Sequence, residues 1–326
     1  MPIRIPDQLP ASSILANENL FVMPENRAAN QEIRPMNVAI LNLMPNKIET
    51  EVQILRMLGN TPLQINIEFI RIHKNVSKNT PKEHLDNFYC LFDDIKYKQY
   101  DGLIITGAPL ALMDYSAVSY WEKICEVFDW AEKNVTSTMF SCWAAHAALY
   151  HHYGINRHLR DKKLSGIFSH NRVDPKESLT RGFEETFNVP HSRFGYIDKS
   201  EYLSVPGLKI LAESEQAGVY LVASKNKQQV YLTGHPEYDA CTLHEEFLRD
   251  VSSKKKTVNT SGTPKVPQHY YQDDDQENTP KNTWRSHGSL LFTNWLNYYV
   301  YQITPYQLDA NNIQAIHPAA SIENKT

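Results

Sequence analysis

Thr138-Met139-Phe140-Ser141-Cys142-Trp143-Ala144-Ala145-His146 is the stretch on which the reading of this chain turns. A β-type run ends at Ser141, and an alanine-rich helical pattern begins at once after Cys142. The thiol therefore sits at a strand-to-helix corner, where the unpaired N–H groups of a first helical turn favour an anion. Farther along, Thr233-Gly234-His235-Pro236-Glu237-Tyr238 supplies what a thiol needs to react. Residues i and i+2 of an extended chain point to one face, and Pro236 fixes the φ angle between them. Glu237 can then accept a hydrogen bond from one imidazole nitrogen of His235 while the other nitrogen faces the thiol. The carboxylate also raises the basicity of the ring. A nucleophile, a base and an acid that orients the base describe acyl transfer through a cysteine thioester. Taken alone, Cys142 could equally be a buried thiol that starts a core helix, because the G-x-C-x-G form of a nucleophile elbow is absent: Phe140 and Trp143 are large. His235 and Glu237 favour catalysis.

Outward from this corner, strands and helices alternate. Met36 to Leu43 is a short apolar run of the kind buried in a parallel sheet. Lys47 to Leu58 places Ile48, Val52, Leu55 and Leu58 at three- and four-residue intervals, which predicts an amphipathic helix. Leu63 to Ile72 alternates as a strand does, and Asp101 to Thr106 is another buried strand, closed by Gly107-Ala108-Pro109. Trp121 to Lys133 reads as a helix, and Ser137 to Ser141 is the strand that feeds Cys142. The pattern predicts an α/β fold with three layers and a mainly parallel sheet. Gly218 to Ala223 and Gln229 to Thr233 form a hairpin over the polar turn Ser224 to Lys227, and Leu243 to Val251 is helical. The division expected is an N-terminal arm at 1–34, a single domain at 35–308 and a flexible tail at 309–326. Within the domain, 252–282 is a polar surface loop, and 284–303 is an aromatic-rich helix that docks back on the core.

Composition excludes several classes. The 326 residues are enough for a sizeable core, and 21% charged with 41% hydrophobic residues is ordinary for a globular protein. A net charge of −4 without a basic stripe argues against nucleic acid, and no apolar stretch is long enough to span a bilayer. The first residues lack the apolar core of a signal peptide, so a cytoplasmic protein is expected. Cys90, Cys125, Cys142 and Cys241 are widely spaced, which predicts free thiols, and the first two read as small core residues. No metal is expected. His244-Glu245-Glu246 looks like half of a zinc signature, but its second histidine would fall at Leu248, and His146, His151 and His152 do not recur with a third ligand. No phosphate-binding glycine loop is present, and no cofactor is predicted.

Longer motifs add a family likeness. They are Met1-Pro2-Ile3-Arg4, Leu41 to Glu51 (Leu-Asn-Leu-Met-Pro-Asn-Lys-Ile-Glu-Thr-Glu), Asn79-Thr80-Pro81 and Thr106-Gly107-Ala108-Pro109. Further on come Leu164-Ser165-Gly166, Pro190-His191-Ser192-Arg193, Gly234 to Asp239 and Trp284-Arg285-Ser286-His287-Gly288. In these the chain resembles the bacterial homoserine O-acyltransferases of methionine biosynthesis, nearest to their succinyl-transferring members, over almost its whole length. The resemblance implies a fold similar to class I glutamine amidotransferases, and a Cys142 that becomes acylated, with His235 as general base and Glu237 orienting it. It implies that Lys163, Ser192 and Arg249 contact homoserine, and that position 111 bears on the acyl donor. A glutamate there accompanies acetyl-CoA and a small residue succinyl-CoA; Ala111 leaves room for a succinyl carboxylate that a glutamate would repel. The oxyanion falls to backbone N–H groups including that of Trp143, with Lys47 a further candidate for the oxyanion or the CoA phosphates. Succinyl-CoA is then a co-substrate, homoserine the acceptor, and the assembly a homodimer. Three other readings remain open: an acetyl-CoA-dependent homoserine acyltransferase, a glutamine amidotransferase subunit, and a non-catalytic binding protein. The glycines missing around Cys142 weigh against the amidotransferase.

Overall fold

The computed structural model describes residues 3–5, 9–17, 22–24, 35–74, 79–254 and 264–304. The tail expected at 309–326 lies outside them, as does part of the arm and of the 252–282 loop. Twelve strands share one sheet. They are β1 (Ile3–Ile5), β2 (Val22–Pro24), β3 (Met36–Leu41), β4 (Ile65–Arg71), β5 (Tyr89–Leu91) and β6 (Tyr100–Ile105). After these come β7 (Val135–Ser141), β8 (His158–Arg172), β9 (Thr186–Tyr196), β10 (Leu208–Ser214), β11 (Gly218–Ser224) and β12 (Gln229–Leu232). Their order is β2-β1-β4-β3-β6-β7-β12-β11-β10-β8-β9, with β5 paired to β4. From β2 to β12 every pair is parallel; from β12 to β9 every pair is antiparallel.

The core explains the layers. Successive residues of a strand face opposite ways, and an apolar run therefore feeds both faces of a sheet. Val38, Ile40, Ile104 and Met139 pack on one face with Val52, Leu55 and Leu58 of the Lys47–Leu58 helix. Ala39, Leu41, Leu103 and Phe140 pack on the other, with Ile124, Val127 and Phe128 of the Trp121–Asn134 helix and the alanines of the Trp143–Tyr153 helix. The parallel α/β half and the β11–β12 hairpin match the sequence pattern to within a few residues.

Four features differ from the sequence reading. Two short strands of the N-terminal segment extend the parallel edge, β1 pairing β4 and β2 pairing β1. Three residues each give no measurable periodicity. The long ribbon β8–β9 has no alternating signature either, because its first half is solvent-facing and charged, from His158 through Lys163. The polar stretch after residue 264 is not purely a surface loop: Tyr270 and Tyr271 are buried in a third cluster with Tyr238, Leu243 and Trp284. There the chain pairs with β8, Gln268 N donating to Ser165 O at 3.0 Å and Ile167 N to Gln268 O at 2.8 Å. Cys90 and Cys125 are half-buried rather than core residues.

The helix expected at 284–303 runs as an α-helix over Arg285–Asn294 and a π-helix over Trp295–Tyr301. It docks directly on the His-Pro-Glu segment. Trp284 Nε1 donates to Tyr238 O at 2.9 Å, and Arg285 reaches Asp239 at 3.0 Å. A Cβ at Gly288 would stand 2.6 Å from Pro236 O, so only glycine lets the helix approach this closely.

Candidate active site

The end of β7 turns sharply into the Trp143–Tyr153 helix at Cys142, whose backbone has φ 50° and ψ −111°. A non-glycine residue in that conformation stores strain of about 1–3 kcal/mol, and such strain concentrates at reactive sites. Cys142 N donates to Leu232 O at 2.6 Å, tying the corner to the end of β12. Three residues beyond the end of β12, His235 is buried, its N–H held by Pro190 O at 2.9 Å. His235 Nδ1 and Glu237 Oε1 are 2.8 Å apart. Gly107 closes the site from β6: a Cβ there would lie 3.2 Å from Cys142 Cβ and 3.8 Å from His235 Cε1. Cys142, His235 and Glu237 are thus brought together. Burial opposes charge on the imidazole, but the negative charges of Cys142 and Glu237, with hydrogen bonds to both, outweigh it and hold His235 well above the ordinary histidine value.

Beneath this site runs a chain whose tautomers are fixed by its one cation. Arg193 Nε can only donate, so His191 Nδ1 accepts at 3.2 Å. His191 Nε2–H is then left to donate to His170 Nε2 at 3.1 Å, and His170 Nδ1–H to Phe168 O at 2.8 Å. The chain locks β8 to β9 below the base.

Lys163, Ser192 and Arg249 also come together, around a residue that the sequence reading passed over. Glu246 accepts from Ser192 Oγ and, at 2.9 Å, from Tyr238 Oη. Lys163 Nζ stands 3.5 Å from Glu246 and 2.8 Å from Asp250, and Arg249 stands 3.5 Å from Glu246. Burial would raise the Glu246 pKa, but Lys163, Ser192, His235 and Arg249 lower it below the usual carboxylate value. Tyr238 links the two groups, because its ring stacks on His235 with centroids 4.1 Å apart. Helical spacing was the available signal: residues 246, 249 and 250 share one face of the Thr242–Lys254 helix.

Lys47 is half-buried, and its ammonium donates to Asn42 O at 2.5 Å and Met44 O at 3.3 Å. Burial, partly countered by Glu51, lowers its pKa to about 8. Met44, Thr106, Gly107, Ser141, His235 and Glu237 line one small cavity, so the loop that Lys47 pins is a wall of the site. Ala111 lies on the half-buried turn after Gly107, and Trp143 is buried at the first helical position. Two of the histidines weighed as metal ligands are engaged elsewhere: His151 faces Asp129 at 2.6 Å and His244 faces Tyr271 Oη at 2.7 Å. Among the described residues His158, Asp198 and Glu201 gather ligand atoms within 4.8 Å of one another. Asp198 and Glu201 form the capping box of the Lys199–Leu203 helix, which accounts for their proximity. No described helix is long and apolar enough to cross a membrane.

Comparison with known proteins bears on the fold and the family. A glutamine amidotransferase from Thermotoga maritima superposes with a TM-score of 0.53 at 12% identity, over 81% of this chain and 98% of that one, which is a likeness of fold. Homoserine O-succinyltransferase of Alteromonas mediterranea is 58% identical over 308 residues, covering 94% of this chain and 96% of the relative. The homoserine O-succinyltransferase of Pseudoalteromonas atlantica is 59% identical over 308 residues, covering 94% and 98%. The family profile described as homoserine O-succinyltransferase matches residues 2–306. The chain belongs to the homoserine O-succinyltransferase family.

Proposed function

We propose that the protein transfers the succinyl group of succinyl-CoA to the hydroxyl of L-homoserine in two stages. In the first, His235 takes the Cys142 proton and the sulfur attacks the thioester carbonyl. The oxyanion is held by backbone N–H groups at the corner, that of Trp143 among them. CoA leaves as a thiolate, receives the proton from His235, and succinyl-Cys142 remains. In the second stage the ammonium of homoserine meets Glu246, while Arg249 and Lys163 take its carboxylate and Ser192 fixes Glu246. His235 removes the hydroxyl proton, the alkoxide attacks the thioester, and O-succinylhomoserine departs from the regenerated cysteine. Glu237 keeps the imidazole oriented throughout.

The observation that carries this reading is the strained Cys142 corner beside the His235–Glu237 pair, joined through Tyr238 to the Glu246 cluster. Family membership supports succinyl as the group transferred, and Ala111 supports it over acetyl. Lys47 serves as a positioning residue for the 42–46 loop in this scheme. Bond changes run through thiol, imidazole and carboxylates, so the reading assigns no metal and no cofactor. It takes the protein as a homodimer in the cytoplasm, acting on small molecules.

Intact-protein mass after mixing with succinyl-CoA or acetyl-CoA, without homoserine, tests the scheme. A succinyl adduct is expected that is absent from Cys142→Ala and discharges onto homoserine. A dominant acetyl adduct would overturn the donor, and no adduct with either would overturn the two-stage scheme.

A further inference from the structure

Around the nucleophile helix, five side-chain polar atoms are buried without a hydrogen-bond partner among the described residues: Tyr115 Oη, Trp143 Nε1, His146 Nε2, Arg157 Nη1 and Tyr202 Oη. An unsatisfied buried polar atom costs about 1–3 kcal/mol, and native structures hold only a few per hundred residues. The five come from four segments of the chain: Tyr115, Arg157 and Tyr202 from one each, and Trp143 and His146 from the helix that Cys142 begins. The Arg157 guanidinium lies 4.2 Å from the centre of the Tyr115 ring, and that ring lies 6.3 Å from Trp143. A Cβ at Gly195 would stand 2.9 Å from His146 Nδ1 and 3.3 Å from Arg157 Cδ, so Gly195 lets those two side chains close on each other. Tyr202 feels the charges of Arg193 and Tyr115.

The cluster spans from the nucleophile to the segment that carries Ala111. His146 N donates to Cys142 O at 3.3 Å, one turn along the helix, and Arg157 Nη2 donates to Met113 O. Its chemistry is one-sided. Arg157 is met by the Tyr115 ring and hydroxyl and by a backbone oxygen, and is paired with no carboxylate among the described residues. Burial raises the Tyr115 pKa to about 12, so its hydroxyl keeps its proton. Burial, then the charges of Arg193 and Arg157, lower His146 to about 3, which leaves it a neutral ring with one N–H to offer. Arg157, with Arg193 behind it, among neutral donors is a receptor for a carboxylate.

We propose that Arg157, with Tyr115 and His146, receives the distal carboxylate of the succinyl group carried on Cys142. This rests on the function proposed above and adds to it the residues that recognise the donor. Ala111 leaves space for the chain, and the cluster supplies the attraction. An acyl group without the carboxylate leaves the donors unpaired, which is how a site built around a polar group rejects an analogue lacking it.

The test compares acylation of Cys142 by succinyl-CoA and by butyryl-CoA, which has the same number of carbons and no charge, in the wild-type protein, Arg157→Gln, Arg157→Lys and Tyr115→Phe. The succinyl-over-butyryl preference in kcat/KM is expected to fall about 100-fold in Arg157→Gln, since one partner of a buried charge pair is removed. It should recover in part with Arg157→Lys and fall about tenfold in Tyr115→Phe, which loses one hydrogen bond. A folded Arg157→Gln that loses both donors equally overturns the assignment and leaves the function standing. If Arg157→Gln does not fold, Tyr115→Phe decides, and an unchanged preference there overturns it. A wild-type protein that prefers butyryl-CoA overturns the donor and this assignment together.

Discussion

At Glu246 one carboxylate oxygen accepts from Tyr238 and the other from Ser192, with Lys163 and Arg249 each 3.5 Å away. A carboxylate so supplied holds its charge despite burial and can meet an ammonium. Glu246→Gln keeps the shape and removes the charge, and it should raise the KM for homoserine about 30- to 100-fold. Succinylation of Cys142 should still be seen by mass. Steady-state kinetics across homoserine concentrations checks this, and an unchanged KM would remove Glu246 from the acceptor site. The thiol, the imidazole and Glu237 were legible in sequence because two short contiguous segments carry them and i, i+2 geometry pairs the last two. Glu246 was not, since its meaning comes from Ser192 and Lys163, which a ribbon without sequence periodicity brings to it.

The Arg285–Asn294 helix is the element that fixes the base from behind. Trp284 and Arg285 bind the residues just after Glu237, and Gly288 lies against Pro236 O. A methyl at 288 would have to push the helix or the His-Pro-Glu turn by several tenths of an ångström. Gly288→Ala should therefore destabilise the protein by about 1–3 kcal/mol. It should also lower kcat more than it raises either KM, because the base moves while the binding groups stay. Thermal melting with parallel kinetics reads both effects; wild-type values for each would show that the helix tolerates the shift. Elements buried on both faces were legible because apolar runs betray them. The β8–β9 ribbon was not, for its outer half faces solvent and its inner half mixes buried Phe168, Phe187 and Val189 with the polar His170–His191–Arg193 chain.

Across the whole molecule the buried histidines set the response to acid. Burial foremost, with nearby cationic groups, lowers His146 and His170 to about 3 and His152 to about 4, and puts His191 well below the ordinary value. In the unfolded chain each titrates near 6.5. Below that pH the unfolded state binds more protons, so the stability these groups contribute is complete above about 6.5 and is lost as pH falls toward their folded values. The slope is up to about 1.4 kcal/mol per pH unit for each. His235 acts in the opposite sense: its contribution is complete below about 6.5 and is lost as pH rises through its raised folded value. Melting temperature should thus peak near neutrality and drop steeply between pH 6.5 and 4.5, and equal values at pH 5 and 7 would contradict the burial of these rings. The same sheet that buries them also joins the reacting groups. Leu232 and Ser141 are partners in register, and Cys142 N closes on Leu232 O, so thiol and imidazole extend from adjacent parallel strands. Most of the groups assigned to the acyl donor and to the alcohol hang instead from the 107–115 turn, the β8–β9 ribbon and its approach, and the Thr242–Lys254 helix. Exchange of those outer segments would change which acid is joined to which alcohol while the reaction itself stayed in place, so this architecture can diversify its ester products without reinventing its chemistry.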